Sequence, residues 1–330
     1  MASSIVNALS VDVEEYYHAT IFREATRELA GCFASRVEES VERVLALLGH
    51  GEVRATFFIV GEVAEAHPAM VQKISGEGHE IACHGDRHEL VSSQTPRQFR
   101  ADIRRAKALL EDLTSQPVIG YRAPNFSIGR AQPWAYDVLL EEGFRYDSSI
   151  YPIRHDRYGD PAAPRFPYEI RRDGSQRLME FPIGTARFFG VNFPIGGGGY
   201  FRLLPVPLIR YGIEHVNAHE RQPIMFYFHP WELDPDQPRP PMPWRHRLRH
   251  YVGLARLEEL HRIIDHNAVE LHRLRLVGED LLKPGVWMPL PDRHPQRPEA
   301  PPKQEQGDES SPSSPPPPQR HADAHDAHHD

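Results

Sequence analysis

Short β-rich runs alternate with stretches of helical period through the first half of this chain, and that alternation constrains the fold more than any single residue does. "IVNALSVDV" (5–13) is followed by "SRVEESVERVLALLG" (35–49), whose apolar positions recur at helical spacing, and then by the continuous apolar run "VRATFFIVG" (53–61). The scheme repeats with a helix over "EVAEAHPAMVQKISGEG" (62–78), a strand running into a loop at "HEIACHG" (79–85), and a helix over "TPRQFRADIRRAKALLEDL" (95–113) capped by Thr95 with Pro96 at its first position. A strand at "PVIGYRAP", a helix at "AQPWAYDVLLEEG" and a short strand at "FRYDSSI" continue the series. Repeated βα units predict an α/β protein built on a parallel sheet, open or closed into a barrel. From Tyr151 to about Gly199 the pattern gives way to Pro- and Gly-rich segments with weak strands such as "RLMEFPIGT", which are expected to decorate one face. "PIMFYFHPWELDP" restores a buried strand, and "WRHRLRHYVGLARLEELHRIIDH" (244–266) reads as one long helix.

The body spans about residues 3–288, large enough for a full core. Residues 289–330 form a Pro/Ser/His-rich tail that should be disordered, having too little apolar surface to offset its ordering entropy. The formal charge is −8, and the tail carries about half of it, so nothing in the body marks a nucleic-acid binder. His321, His325, His328 and His329 in the tail could hold a metal loosely. No apolar run reaches transmembrane length, and the N-terminus meets acidic residues too early for a signal peptide, so a cytoplasmic setting is expected. Cys32 and Cys83 lie far apart and outside any CxxC pattern, which argues for plain buried residues.

In parallel α/β folds, reactive groups gather where strands end and loops begin. The polar residues at such places are Asp12 and Glu14 after the first strand, His84 and His88 after the third, Arg122 after the fourth, Asp147 near the fifth and His229 after the last. Imidazole suits borderline dications, and a catalytic site commonly combines two histidines with one carboxylate while keeping a position open. Asp12 and Glu14 are two apart on a strand and share a face, so their like charges call for a cation between or beside them. Glu15 and His18 follow, with Glu15 expected to point the other way. Asp86, between the two histidines, could hold one of them from behind. The glycine run 196–199 lacks the strand–turn–helix context of a phosphate loop, which argues against nucleotide binding.

Taken in order, "SVDVEEYY", "HEIACHGDRH", "YRAPNFSIG", "RYDSSIYP" and "FYFHPWE" resemble the five motifs of the polysaccharide deacetylase family (NodB-homology, carbohydrate esterase family four), from about Leu9 to about Asp236. "HDRYGDPAAPR", "GGGGYFRLLP" and "HPWELDPDQPR" resemble the branch associated with exopolysaccharide loci of bacteria with the exosortase/PEP-CTERM system. The resemblance implies an irregular (β/α) barrel of about seven strands and a metal-dependent hydrolase removing N-acetyl groups from an amino sugar in a bacterial exopolysaccharide or its lipid-linked precursor. It implies a divalent metal, zinc in most of the family, held by His84, His88 and a carboxylate at Glu14. The family's common Asp-Asp pair is replaced here, which leaves that carboxylate open between Glu14, Glu15 and Asp12. Asp12 matches the base, Arg122 the group beside it, His229 the general acid and Asp147 a partner keeping His229 charged. Phe126, Tyr200 and Trp231, in loops near the motifs, are candidate sugar-stacking residues. Two other readings stand beside this one: a cyclic-amide hydrolase of allantoinase type on the same barrel, and a non-catalytic carbohydrate-binding barrel. Oligomeric state is not legible in the sequence.

Overall fold

In the computed structural model, the residues described are 5–19, 22, 33–239, 244–254, 257–264 and 270–272. The expected tail and Cys32 lie outside them. Seven parallel strands form the frame: β1 (Val6–Val13), β2 (Thr56–Ile59), β3 (Glu80–Cys83), β4 (Gly120–Tyr121), β5 (Tyr146–Asp147), β7 (Gln176–Glu180) and β10 (Met225–Phe228), in the spatial order β10-β1-β2-β3-β4-β5-β7. The sheet curls, and its two ends meet through the single parallel bridge Ile183–Met225, which makes the barrel irregular as expected. β6 (Tyr168–Asp173) runs antiparallel to β7 at the rim, and β11 (Glu270–His272) pairs with the start of β1. β8 (Thr185–Phe188) and β9 (Val191–Pro194) form a separate hairpin.

Strand alternation divides the side chains cleanly. Leu9, Val11, Val13, Phe57, Ile59, Ile81, Cys83, Phe226 and Phe228 join the apolar layer beneath the helices. That layer is completed by α1 (Val37–His50), α2 (Gly61–Ala66), α3 (Pro68–Gly76), α4 (Pro96–Thr114), α5 (Trp134–Glu141), α6 (Gly199–Leu203) and α7 (Val206–His215). The alternate positions Ala8, Phe58, Ala82, Tyr146, Met179 and Tyr227 form a second cluster inside the barrel. The same alternation carries Ser10, Asp12, His84, Arg122 and His229 inward at the strand ends.

Three elements differ from the sequence expectation. The helix expected over 62–78 is two helices, because Pro68 cannot continue α2 and instead opens α3 as its first residue. "RLMEFPIGT" contributes a full barrel strand, β7, where the sequence suggested decoration. The long C-terminal helix divides into α8 (Trp244–Tyr251) and α9 (Leu257–Ile264). Gly253 sits at φ +68°, and a Cβ there would lie 2.2 Å from the Arg202 carbonyl oxygen, so the chain turns where it crosses α6. The helix at 96–114 forms as expected, with a reciprocal capping box between Thr95 and Gln98.

Candidate active site

The site lies at the C-terminal ends of β1, β3, β4 and β10. Asp12 and Glu14 are both buried and face the same way, as strand periodicity requires, and each finds a cationic or imidazole partner. The Asp12 carboxylate accepts from Arg122 Nη1 at 2.5 Å. Arg122 is wholly buried and also donates to Ser10 Oγ (2.9 Å), the Ser148 carbonyl (3.0 Å) and Ser148 Oγ (2.9 Å), with its guanidinium 4.1 Å from the centre of the Phe58 ring. With four of its N–H groups engaged, the planar fork fixes where Asp12 can point.

Glu14 pairs with His88 Nε2 at 2.5 Å, lies 3.6 Å from His229 Nε2, and accepts the Trp231 indole N–H at 3.2 Å. Burial alone would push its carboxyl upward, but the His88 and His229 imidazoles outweigh that and hold it well below the ordinary carboxylate range. Among the described residues, Glu14, His18 and His88 can each offer one ligand atom, and these atoms all lie within 4.8 Å of one another. Two imidazoles and a carboxylate form a donor set suited to a borderline dication, so the residues present fit the metal that the family resemblance implies. His88 adopts φ +53°, a left-handed conformation that a non-glycine residue holds only when its surroundings impose it.

Glu15 points the other way and accepts from the Ser35 hydroxyl and the Arg36 backbone N–H, so of the two neighbouring glutamates Glu14 is the one at the site. His84 sits beside His88 with ring centroids 5.2 Å apart. Its Nδ1 lies 2.8 Å from the Arg122 carbonyl. A carbonyl only accepts, so Nδ1 carries the proton and Nε2 keeps a lone pair. Burial pushes the His84 pKa down to about 4, which keeps the ring neutral. His18 is the residue the sequence reading did not place in the ligand set. It stands four positions after Glu14 on a short 3₁₀ turn (Tyr16–His18), stacks on His88 at 5.3 Å and contacts Glu62 at 3.0 Å.

His229 lies between two carboxylates, with Nε2 toward Glu14 and Nδ1 3.5 Å from Glu232 Oε2. Burial disfavours its charge, but Glu14 and Glu232 reverse the balance and raise its pKa to about 9. Glu232 is itself held by Arg202 Nε at 2.8 Å. That arrangement corrects the expectation that Asp147 partners His229. Tyr146 points into the barrel, so its neighbour Asp147 points out and meets Glu180, its register partner on β7. The sequence signal for the true partner was the glutamate three residues after His229, in "HPWE".

Two of the three proposed sugar-stacking residues are placed otherwise. Trp231 is buried, with His229 stacked on one side and His250 on the other, each 4.8 Å away, so neither face is open to a sugar. Phe126 is buried against Tyr151, Tyr158 and Tyr227. Tyr200 is half-buried at 6.0 Å from the Tyr151 ring. Asp86 binds Arg105 at 2.6 Å, and among the described residues no histidine forms a hydrogen bond or ion pair with it. The glycine run serves packing: Gly197 bridges Tyr227, and a Cβ there would fall 1.8 Å from the Tyr227 carbonyl oxygen. This close approach brings α6, and with it Arg202, to Glu232.

Residues 25–137 match the family model "Polysaccharide deacetylase", and residues 148–272 match a domain family of unknown function, DUF3473. The chain is 34% identical over 37% of its length to a peptidoglycan deacetylase-like protein of Gibberella zeae, covering 35% of that protein. It is 31% identical over 36% of its length to a peptidoglycan deacetylase of Helicobacter pylori, covering 39% of it. The matched region thus spans little more than a third of these relatives. Among solved structures, a probable polysaccharide deacetylase from Pseudomonas aeruginosa superposes with a TM-score of 0.54 at 17% identity, covering 86% of this chain and 93% of that one. The PuuE allantoinase superposes with a TM-score of 0.57 at 16% identity, covering 86% and 92%. The fold is that of the NodB-type α/β barrel. Residues 25–137 are thus similar to the polysaccharide deacetylase family, and the curated relatives that match carry deacetylase names.

Proposed function

We propose that this protein is a metal-dependent N-deacetylase acting on an N-acetylated amino sugar within a polysaccharide. The observation that carries the reading is one cluster in which the Glu14–His88–His18 donor set lies next to the Asp12–Arg122 pair and the His229–Glu232 pair. A dication held by Glu14, His18 and His88, with His84 alongside, would polarise the amide carbonyl and lower the pKa of water. Asp12, oriented by Arg122, accepts the proton of the attacking water. His229, whose Nδ1 lies 3.5 Å from Glu232 Oε2, gives a proton to the departing amine, and Glu232 holds its ring in place. Water adds to the acyl carbon, the C–N bond breaks, and acetate and a free amine result.

In its finer form the proposal takes zinc as the metal and an exopolysaccharide or its lipid-linked precursor as the substrate. It assigns the protein to the exosortase/PEP-CTERM-associated branch, in a cytoplasmic setting. Support for this finer form comes from the motif resemblance; the relatives' names, which specify peptidoglycan, support only an N-acetylated amino-sugar polymer as the substrate class. The test is acetate release by the full chain from N-acetylglucosamine oligomers, with zinc and after chelation, alongside Asp12→Asn. Metal-dependent release abolished by the substitution is expected. Turnover of allantoin without acetate release would favour the cyclic-amide reading, and sugar binding without turnover the non-catalytic barrel.

A further inference from the structure

The β8–β9 hairpin presents apolar side chains that no other described element covers. Phe189 at its tip is fully exposed, Val191 is 59% and Phe193 46% exposed, and the row continues on α7 with Leu208 and Tyr211. These residues form one surface. Phe188 contacts Phe193 across the hairpin at 5.8 Å and stacks on Tyr211 at 6.0 Å, and Leu208 precedes Tyr211 by one helical turn. Phe189 occupies φ +51° and Gly190 φ +79°, so the turn holds a phenylalanine outward in a conformation that side chains disfavour. The isolated hairpin needs no such ring for its own packing.

The charge around this surface runs against that of the chain. Residues 185–224 hold four arginines and two glutamates, with Arg202 buried on Glu232 and the other three at or near the surface, whereas the whole chain carries −8. Both glutamates are already partnered, Glu220 by Arg165 at 2.6 and 2.8 Å and Glu214 by Arg210 at 3.8 Å. Arg187 and Arg221 are exposed, with His215 beside Tyr211 and His219 beside His215. Among the described residues no helix is long and apolar enough to cross a membrane.

We propose that the β8–β9 hairpin and the adjoining flank of α7 dock on an anionic lipid bilayer, with Phe189 inserted at the headgroup boundary and the arginines and histidines facing lipid phosphates. Exposed apolar tips flanked by cationic groups are the composition of an interfacial anchor. Aliphatic Val191 and Leu208 offer no hydrogen bonds to sugar hydroxyls, which favours lipid over a polysaccharide chain. The proposal is independent of the deacetylase reading, because binding is measured without turnover.

The experiment is cosedimentation of the full chain with vesicles of phosphatidylcholine alone or with about a third phosphatidylglycerol. The wild type is expected to partition onto the anionic vesicles, more weakly at high salt. Phe189→Gly suits the positive φ and keeps the turn, and it should lower partitioning about tenfold, the loss of one inserted aromatic side chain. Phe189→Gly with Val191→Ser should abolish it, with the circular dichroism spectrum unchanged. Absence of wild-type binding, or equal binding by Phe189→Gly, overturns the proposal. So does a lipid-independent dimer that dissociates in Phe189→Gly, which would assign the surface to a second copy, or release from vesicles by N-acetylated oligosaccharide, which would assign it to sugar.

Discussion

Trp231 donates its indole N–H to Glu14 Oε1 at 3.2 Å while its ring lies between the imidazoles of His229 and His250. It is therefore built to hold the carboxylate of the donor set. Trp231→Phe keeps the stacking and removes the hydrogen bond. Zinc affinity, measured by competition with a chromophoric chelator, should fall roughly 10–100-fold, the usual effect of losing an outer-shell partner. An unchanged zinc affinity with a raised KM for oligosaccharide would return Trp231 to a sugar-contact role.

The donor geometry makes an equally direct claim about His18. Elemental analysis of His18→Ala, His88→Ala and Glu14→Gln should show each losing the stoichiometric metal of the wild type. Retention by His18→Ala together with loss in His84→Ala would restore the set expected from the motif resemblance.

Glu232 stands behind His229, and its charge helps to raise that histidine to about 9. In Glu232→Gln the histidine loses its proton at lower pH, so the alkaline limb of the kcat profile should move down by about one pH unit. The sign for stability is the same. A histidine raised above its unfolded value of 6.5 stabilises the fold fully below that pH and loses the contribution as pH rises through about 9. Urea unfolding at pH 6 and pH 10 should therefore differ less in Glu232→Gln than in wild type.

Asp147 and Glu180 form a buried carboxyl pair: burial pushes both pKa values up, the Asp147 charge pushes Glu180 up further, and a hydrogen bond from Glu180 limits the rise at Asp147. Folded carboxyls raised above their unfolded values bind protons that the unfolded chain has released, so this pair lowers stability as pH climbs from about 4. Glu180→Gln keeps the oxygen that accepts from the Ile150 N–H at 2.9 Å and removes one of the two competing charges. Its urea midpoint should be higher than wild type at pH 7 and equal or lower at pH 4.

Arg122→Lys tests the fork. Lysine cannot reach Ser10, Asp12 and both Ser148 oxygens at once, so the buried Asp12 charge is left poorly compensated. A loss of about 3 kcal/mol in unfolding free energy is expected, within the range for breaking a buried pair. A change below about 0.5 kcal/mol, the size typical of surface substitutions, would contradict the buried network.

Much of the frame was legible because strand and helix periods are local properties. "SVDVEE" alone placed Asp12 and Glu14 on one face and turned Glu15 away, and Thr95 with Gln98 marked the start of a helix. What escaped was decided by contacts distant in sequence. β7 has weak strand character, yet it is recruited because β5 and the bridge to β10 need a closing strand. Asp147 was misassigned as a partner of His229 because the motif gives its order in the chain but not which way it points, and one residue of strand parity sends it to Glu180.

The sequence by itself determined the βα alternation, the inward face of each central strand, and the residue types gathered at the strand ends. These follow from side-chain period and from chemistry that every residue carries with it. Only the tertiary structure decided which of those groups meet. Parallel ladder pairing sets β10 beside β1, over 210 residues away in the chain, and so places His229 and Trp231 against Glu14. The turn after β1 sets His18 against His88, a pairing across 70 residues that no local pattern encodes because it depends on how two loops pack above the barrel.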